Sequence, residues 1–248
     1  DEVNAIVEGG RAVLPLVTLN FPDRDAGAPA TMIAFALSAE AEADRVVQIA
    51  LASFVNLRPG ASTGARIMVL AGTGAIERRI AQAYVTTLRA AGEVPVTIEA
   101  TAAALDRIGR QFETGTYDAV FLALSAREAS LVRPRIPRGI PIFGTSLLNV
   151  GDPAGSSVAS ALAFDLEGVR FVDMPWLLQP DHPAVMVYPP PARAMTLETT
   201  RLYALGIDAF RIAQVWMKGE LRFEIDGVTG RLRVDRAQSV RVERIPTV

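Results

Sequence analysis

Short apolar runs alternate with amphipathic stretches along most of this chain, which predicts α/β organisation around a mostly parallel sheet. "AVLPLVTLN" (12–20) reads as a buried strand ending at the turn-forming "NFPDRDAGAP". Ser38 then precedes "AEAEADRVVQIALASFV", a helix with a serine N-cap and two acidic residues, Glu40 and Glu42, in its first turn. "ARIMVLA" (65–71) is a second strand, followed after "GTGA" by the helix "IERRIAQAYVTTLRAAG", which stops at Gly92. "VPVTIEA", "YDAVFLAL" and "IPIFGT" continue the strands, with helices "TAAALDRIGRQFETG" and "AREASLVRPRI" between them, and "LEGVRFVDM" (166–174) makes a sixth. From Ala65 to Met174 the series is regular enough to form one lobe.

Beyond it lies "RFVDMPWLLQPDHPAVMVYPPP", rich in proline and holding one of the two tryptophans and the only histidine. Proline restricts itself and its predecessor to extended conformations, so this passage reads as a stiff segment crossing between lobes. In "TLETTRLYALGIDAFRIAQVWMKG", Leu202, Leu205, Ala209, Ile212, Ala213 and Trp216 fall on one helical face. Gly206 inside that pattern predicts either close backbone packing or a break between two helices, with Asp208 capping the second. The end, "LRFEIDGVTGRLRVDRAQSVRVER", alternates with period two around "DGVTG", as an antiparallel hairpin or meander does. The expected division is 1–38 with 192–220 as a partial first lobe, 39–191 as the second, and 221–248 as a hairpin packing near the hinge.

Composition narrows the chemistry. The 248 residues are half hydrophobic and carry 25 basic against 27 acidic groups, a net charge of -2. Binding to nucleic acid needs a clustered cationic excess, which is missing here, and the arginines are scattered. With no cysteine, thiolate metal sites, disulfides and thiol nucleophiles are excluded. No apolar run approaches the length that spans a bilayer.

Candidate catalytic motifs are weak. Gly72 and Gly74 sit between a strand and a helix, but Glu77 occupies the slot where a dinucleotide fingerprint needs a small residue. Ser125 and Ser146 lack a nucleophile elbow, and His182 lies between prolines with no orienting partner, so it reads as a loop residue. Neither cofactor nor metal is expected.

"YALGIDAFRIA" followed by "FEIDGVTGRLRVD", with Gly227, Thr229 and Gly230 in the turn, resembles the C-terminal part of type I periplasmic solute-binding folds. Together with "IPIFGTSLLN", "LEGVRFVDMPWLLQPDHP", "LPLVTLNFPD" and "FALSAEAEADRVVQIA", it resembles the LppC/LpoA family of outer-membrane lipoproteins that activate penicillin-binding proteins. The resemblance implies two Rossmann-like lobes with parallel sheets, the N-terminal one incomplete in this chain. It implies a non-catalytic periplasmic module that docks on a class A penicillin-binding protein, a bifunctional peptidoglycan synthase. Membrane attachment would come only through a lipid anchor, at the periplasmic side of the outer membrane. The alternative within the same fold is a receptor for a small solute such as an amino acid or peptide. Residues at strand ends or in the crossing segment are then the cleft or partner-binding candidates: Thr73, Ser125, Thr145, Ser146, Asn149, Asp173, Trp176 and Tyr203.

Overall fold

The computed structural model describes residues 2–9, 14–57, 64–152 and 155–248. Residues 12 and 13 of the predicted first strand lie outside them. The chain forms two compact units, Asp1–Ser38 with Met174–Thr247, and Ala39–Asp173 with Val248.

The first unit opens with helix α1 (Glu2–Gly9) and two short parallel strands, β1 (Leu16–Thr18) and β2 (Met32–Ala34), registered Leu16 to Met32. β2 is wholly buried, yet three residues are too few to show a period, and the sequence pattern passes over it.

The second unit is a five-stranded parallel sheet: β3 (Ile67–Ala71), β4 (Val96–Glu99), β5 (Ala119–Ala123), β6 (Ile142–Gly144) and β7 (Val169–Phe171), in the order β4-β3-β5-β6-β7. Helices α2 (Ala39–Leu57) and α3 (Ala75–Ala90) pack on one face. Helices α4 (Leu105–Thr114), α5 (Ala126–Val132) and α6 (Ser157–Asp165) follow on the other. Alternation along each strand sorts the core. Ile67, Val69, Phe121 and Phe143 meet α2 and α3, whereas Met68, Leu70, Val120 and Leu122 meet α4 and α5. Both faces are covered, which is why β3 and β5 are continuous apolar runs. Phe121 anchors the first face, with its ring centroid 5.2 Å from Tyr84 and 5.5 Å from Phe143. Helix α6 has no buried residue and no amphipathic stripe, so periodicity does not predict it.

The remainder of the first unit departs from the sequence reading in three places. Residues 174–191 belong to this unit rather than to the second lobe: Met174 and Val185 pack with Ala204 and Val228, and Trp176 N–H donates to Val228 O at 2.9 Å. The proline passage is not uniformly extended. Pro175 and Pro183 open two short helices, α7 (Pro175–Leu178) and α8 (Pro183–Met186), at the position where a missing N–H costs nothing. Helix α9 (Leu197–Trp216) runs unbroken through Gly206, which is exposed and packs against nothing. Its inner face, including Leu205, Ile212 and Trp216, joins Ile33 and Phe35 with the hairpin residues Ile225, Leu232 and Val234.

The expected period-two segment forms β8 (Arg222–Asp226), β9 (Arg231–Asp235) and β10 (Glu243–Ile245), an antiparallel sheet ordered β10-β9-β8. Its outer face carries an ion-pair ladder in which Glu224 binds Arg231 and Arg233, and Arg233 reaches Glu243.

Candidate functional site

Because the five strands of the second unit run in one direction, the loops leaving their C-terminal ends gather along one edge. Six predicted residues lie there: Thr73 after β3, Ser125 after β5, Thr145, Ser146 and Asn149 after β6, and Asp173 after β7. The strand order reverses between β3 and β5, so their loops diverge at that point and leave the kind of crevice in which α/β folds bind ligands. Thr73 is exposed and lines a cavity of about 270 Å³ with Thr101, Leu105, Glu128, Leu131 and Val132.

The other five are partly committed to the fold. Ser125 caps α5, accepting from Glu128 N–H at 3.4 Å. Ser146 N–H donates to Glu42 Oε2 at 3.2 Å, joining β6 to α2 across more than a hundred residues of sequence. Thr145 is buried, and its Oγ1 has no partner among the described residues. Asn149 Nδ2 donates to the fully buried Asp173 at 2.8 Å, while Asn149 Oδ1 accepts from Gly151 N–H. A carboxylate with no exposure needs such donors, because burial without them costs several kcal/mol.

Two groups absent from the sequence prediction shape the crevice. Glu77, whose size ruled out a dinucleotide loop, folds back and accepts from Gly74 N–H at 2.6 Å. A Cβ on Gly74 would sit 2.5 Å from Glu77 Oε2, and one on Gly72 would collide with the same carboxyl, so both glycines are needed for the loop to close round it. Glu128 accepts from Ser125 N–H at 3.0 Å and from its hydroxyl at 2.6 Å. The two carboxyls also act on each other's titration, Glu128 raising Glu77 and Glu77 lowering Glu128. Burial, and then the contact with Glu128, raises the Glu77 pKa against the opposing pull of Gly74 N–H. Burial acts to raise Glu128 too, but the Ser125 hydroxyl and N–H outweigh it and leave that group lowered. One member of the pair therefore keeps a proton where an isolated carboxyl would lose it.

Trp176 and Tyr203 lie in the first unit, half-buried, with ring centroids 5.6 Å apart. Nearby, Asp208 does not cap a helix as expected. It is fully buried in the middle of α9 and accepts from Val228 N–H at 3.1 Å, Thr229 N–H at 2.8 Å and Thr229 Oγ1 at 2.7 Å. Arg211 binds the same carboxylate at 3.3 Å. The "GVTG" turn is thus moulded on one anion, and Gly227 is required because a Cβ would meet Asp208 Oδ2 at 2.5 Å. His182 also differs from a plain loop residue: its Nδ1 accepts from Ala184 N–H and caps α8, and Nε2 stands 3.7 Å from Asp226.

Among the described residues no group of three or more acidic or histidine side chains is placed to hold a metal, and no helix is long and apolar enough to cross a membrane.

A family model described as "LppC putative lipoprotein" matches residues 3–245. The chain belongs to the LppC family. Among LppC relatives, the penicillin-binding protein activator LpoA of Erwinia tasmaniensis is 32% identical over 198 residues, 77% of this chain and 28% of that protein. LpoA of Yersinia pseudotuberculosis is 30% identical over 128 residues, 48% of this chain and 18% of that protein. The chain therefore spans less than a third of the length of these curated relatives. Solved structures agree with the two-unit α/β architecture. A "putative branched-chain amino acid ABC transporter" from Chromobacterium violaceum superposes with TM-score 0.82 at 31% identity, covering all of this chain and 76% of that one. The LpoA C-domain of Haemophilus influenzae, described as a regulator of PBP1A, superposes with TM-score 0.67 at 19% identity, covering 94% of this chain and 70% of that one, a likeness of fold.

Proposed function

We propose that this chain is the partner-binding module of an envelope lipoprotein that activates a class A penicillin-binding protein, acting by docking rather than by catalysis. The observation that carries the reading is the 32% identity to a penicillin-binding protein activator across three quarters of the chain, within a family match that runs almost end to end. The site chemistry supports it. Ser125, Ser146, Asn149 and Asp173 spend their polar groups on caps and cross-links that fix the loops, which suits a surface presented to a partner. Attachment at the periplasmic face of the outer membrane belongs to the same proposal, and the family's description as a lipoprotein supports a lipid-anchored envelope protein.

The test is to titrate the purified chain into a class A penicillin-binding protein and follow both binding and the rates of glycan polymerisation and peptide cross-linking. Binding in the micromolar range or tighter, with a faster synthase, is expected. Absence of binding, together with tight binding of a free amino acid or short peptide, would overturn this reading in favour of a solute receptor.

A further inference from the structure

The apolar surface of helix α9 is wider than the core this chain supplies for it. Leu205, Ile212 and Trp216 are buried on its inner face, and on one side Ala204 and Ile207 pack with Met174, Val185 and Val228. The other side is bare. Leu202, which periodicity placed on the buried face, is 61% exposed, Phe210 is 64% exposed, and Met217, just past the helix end, is 67% exposed. With Gly206, Ala209 and Ala213 they fall within about a third of the helix circumference at roughly 3.6 residues per turn. None of the six is charged. A helix that is apolar nearly all round is ordinarily covered nearly all round.

The strand under this helix is open as well. Helix α9 lies against β1, and the Val17 side chain joins the α9 core. Leu16 N–H donates to Thr31 O and Thr18 O accepts from Phe35 N–H, both at 2.8 Å, so these two residues face β2. Directions alternate along a strand, and Val17 N–H and C=O therefore point to the opposite edge. Among the described residues the sheet ends there, with β1 and β2 its two strands. Parallel strands belong to larger sheets covered on both faces, and two strands alone are marginal. Leu14 and Leu19, on either side of β1, are exposed too.

We propose that the β1 edge and the α9 flank form one docking seat for a strand–helix segment of a longer LppC chain. Its strand pairs parallel to β1 through Val17, and its helix lays an apolar face along Leu202, Phe210 and Met217. The neighbour β2 is already parallel, and a further parallel strand needs a crossover, ordinarily a helix on the face of the sheet. Gly206, Ala209 and Ala213 are small enough for a helix axis to approach to about 8–10 Å. The lack of charge suits a permanent contact, since transient interfaces are about as polar as the rest of a protein surface. The Chromobacterium violaceum structure holds an equivalent of this whole chain in 76% of its own length, so the same fold there carries further chain. The seat lies wholly within the first unit and does not depend on the proposed activation of a synthase.

The probe is the part of the Chromobacterium violaceum protein outside its match to this chain, expressed separately and titrated into the 248-residue chain. A one-to-one complex with a micromolar or tighter Kd is expected, and hydrogen exchange at the Val17 amide should slow roughly tenfold on binding. Val17→Pro deletes an outward N–H, which an edge strand tolerates, and Phe210→Glu puts a charge at an exposed position. Each should weaken binding about tenfold, with the free chain still folded by circular dichroism. Leu131→Glu, also exposed but on α5 in the second unit, should leave binding unchanged. Failure of the fragment to bind, or binding that neither Val17→Pro nor Phe210→Glu weakens, would overturn the proposal. So would a dimer of the chain that protects Val17 and is broken by Phe210→Glu, because the seat would then belong to a second copy.

Discussion

Asp208 shows how one side chain can organise a turn far away in sequence. Its carboxylate is fully buried and takes three hydrogen bonds from the Val228–Thr229 segment, with Arg211 balancing the charge. Asp208→Asn keeps the shape but turns an amide group towards donors, leaving at least one buried N–H or O–H without an acceptor. The expected loss is about 3 kcal/mol, the scale of one hydrogen bond to a charged group together with an unsatisfied donor, read as a lower urea midpoint with an unchanged slope. Trp176→Ala is expected to cost less, about 2 kcal/mol. The ring is only half-buried and so falls below the roughly 3–5 kcal/mol of a fully buried tryptophan, and its N–H bond to Val228 O is made by the backbone. Should Trp176 instead anchor a partner, its removal would weaken binding to the synthase well beyond what this loss of stability explains.

Among the elements, α9 is the clearest case of packing overriding local preference. A glycine in a helix interior is unfavourable by about 1 kcal/mol relative to alanine, yet the helix is continuous because its inner face is buried against the β-rich core. A Cβ added at Gly206 would meet nothing within 4 Å, so Gly206→Ala should raise stability by roughly 0.5–1 kcal/mol in thermal or urea melts. No decrease is expected, since neither a close approach nor a positive φ demands the glycine. Helices α7 and α8 make the converse point. Both begin at proline, the residue that suggested an extended passage, because proline is compatible with a first helical turn as well as with a strand end.

For the whole molecule, the central prediction is that this chain by itself binds a class A penicillin-binding protein and accelerates it. Such docking needs only a folded surface, and each unit has a core of its own. The family and the alternation of strands and helices were legible directly: continuous apolar runs can be buried only in a sheet covered on both faces, and the "GVTG" hairpin announces itself by period-two flanks. The strand ends named as candidates follow from that alternation too, because parallel strands must deliver their loops to one edge. What sequence periodicity could not express is which of those polar groups are occupied. That Ser146 meets Glu42, that Asp208 serves a turn twenty residues on, and that 174–191 joins the first unit all depend on groups meeting across long separations. A one-dimensional pattern records which residues seek burial; only the three-dimensional packing decides which buried polar groups find one another.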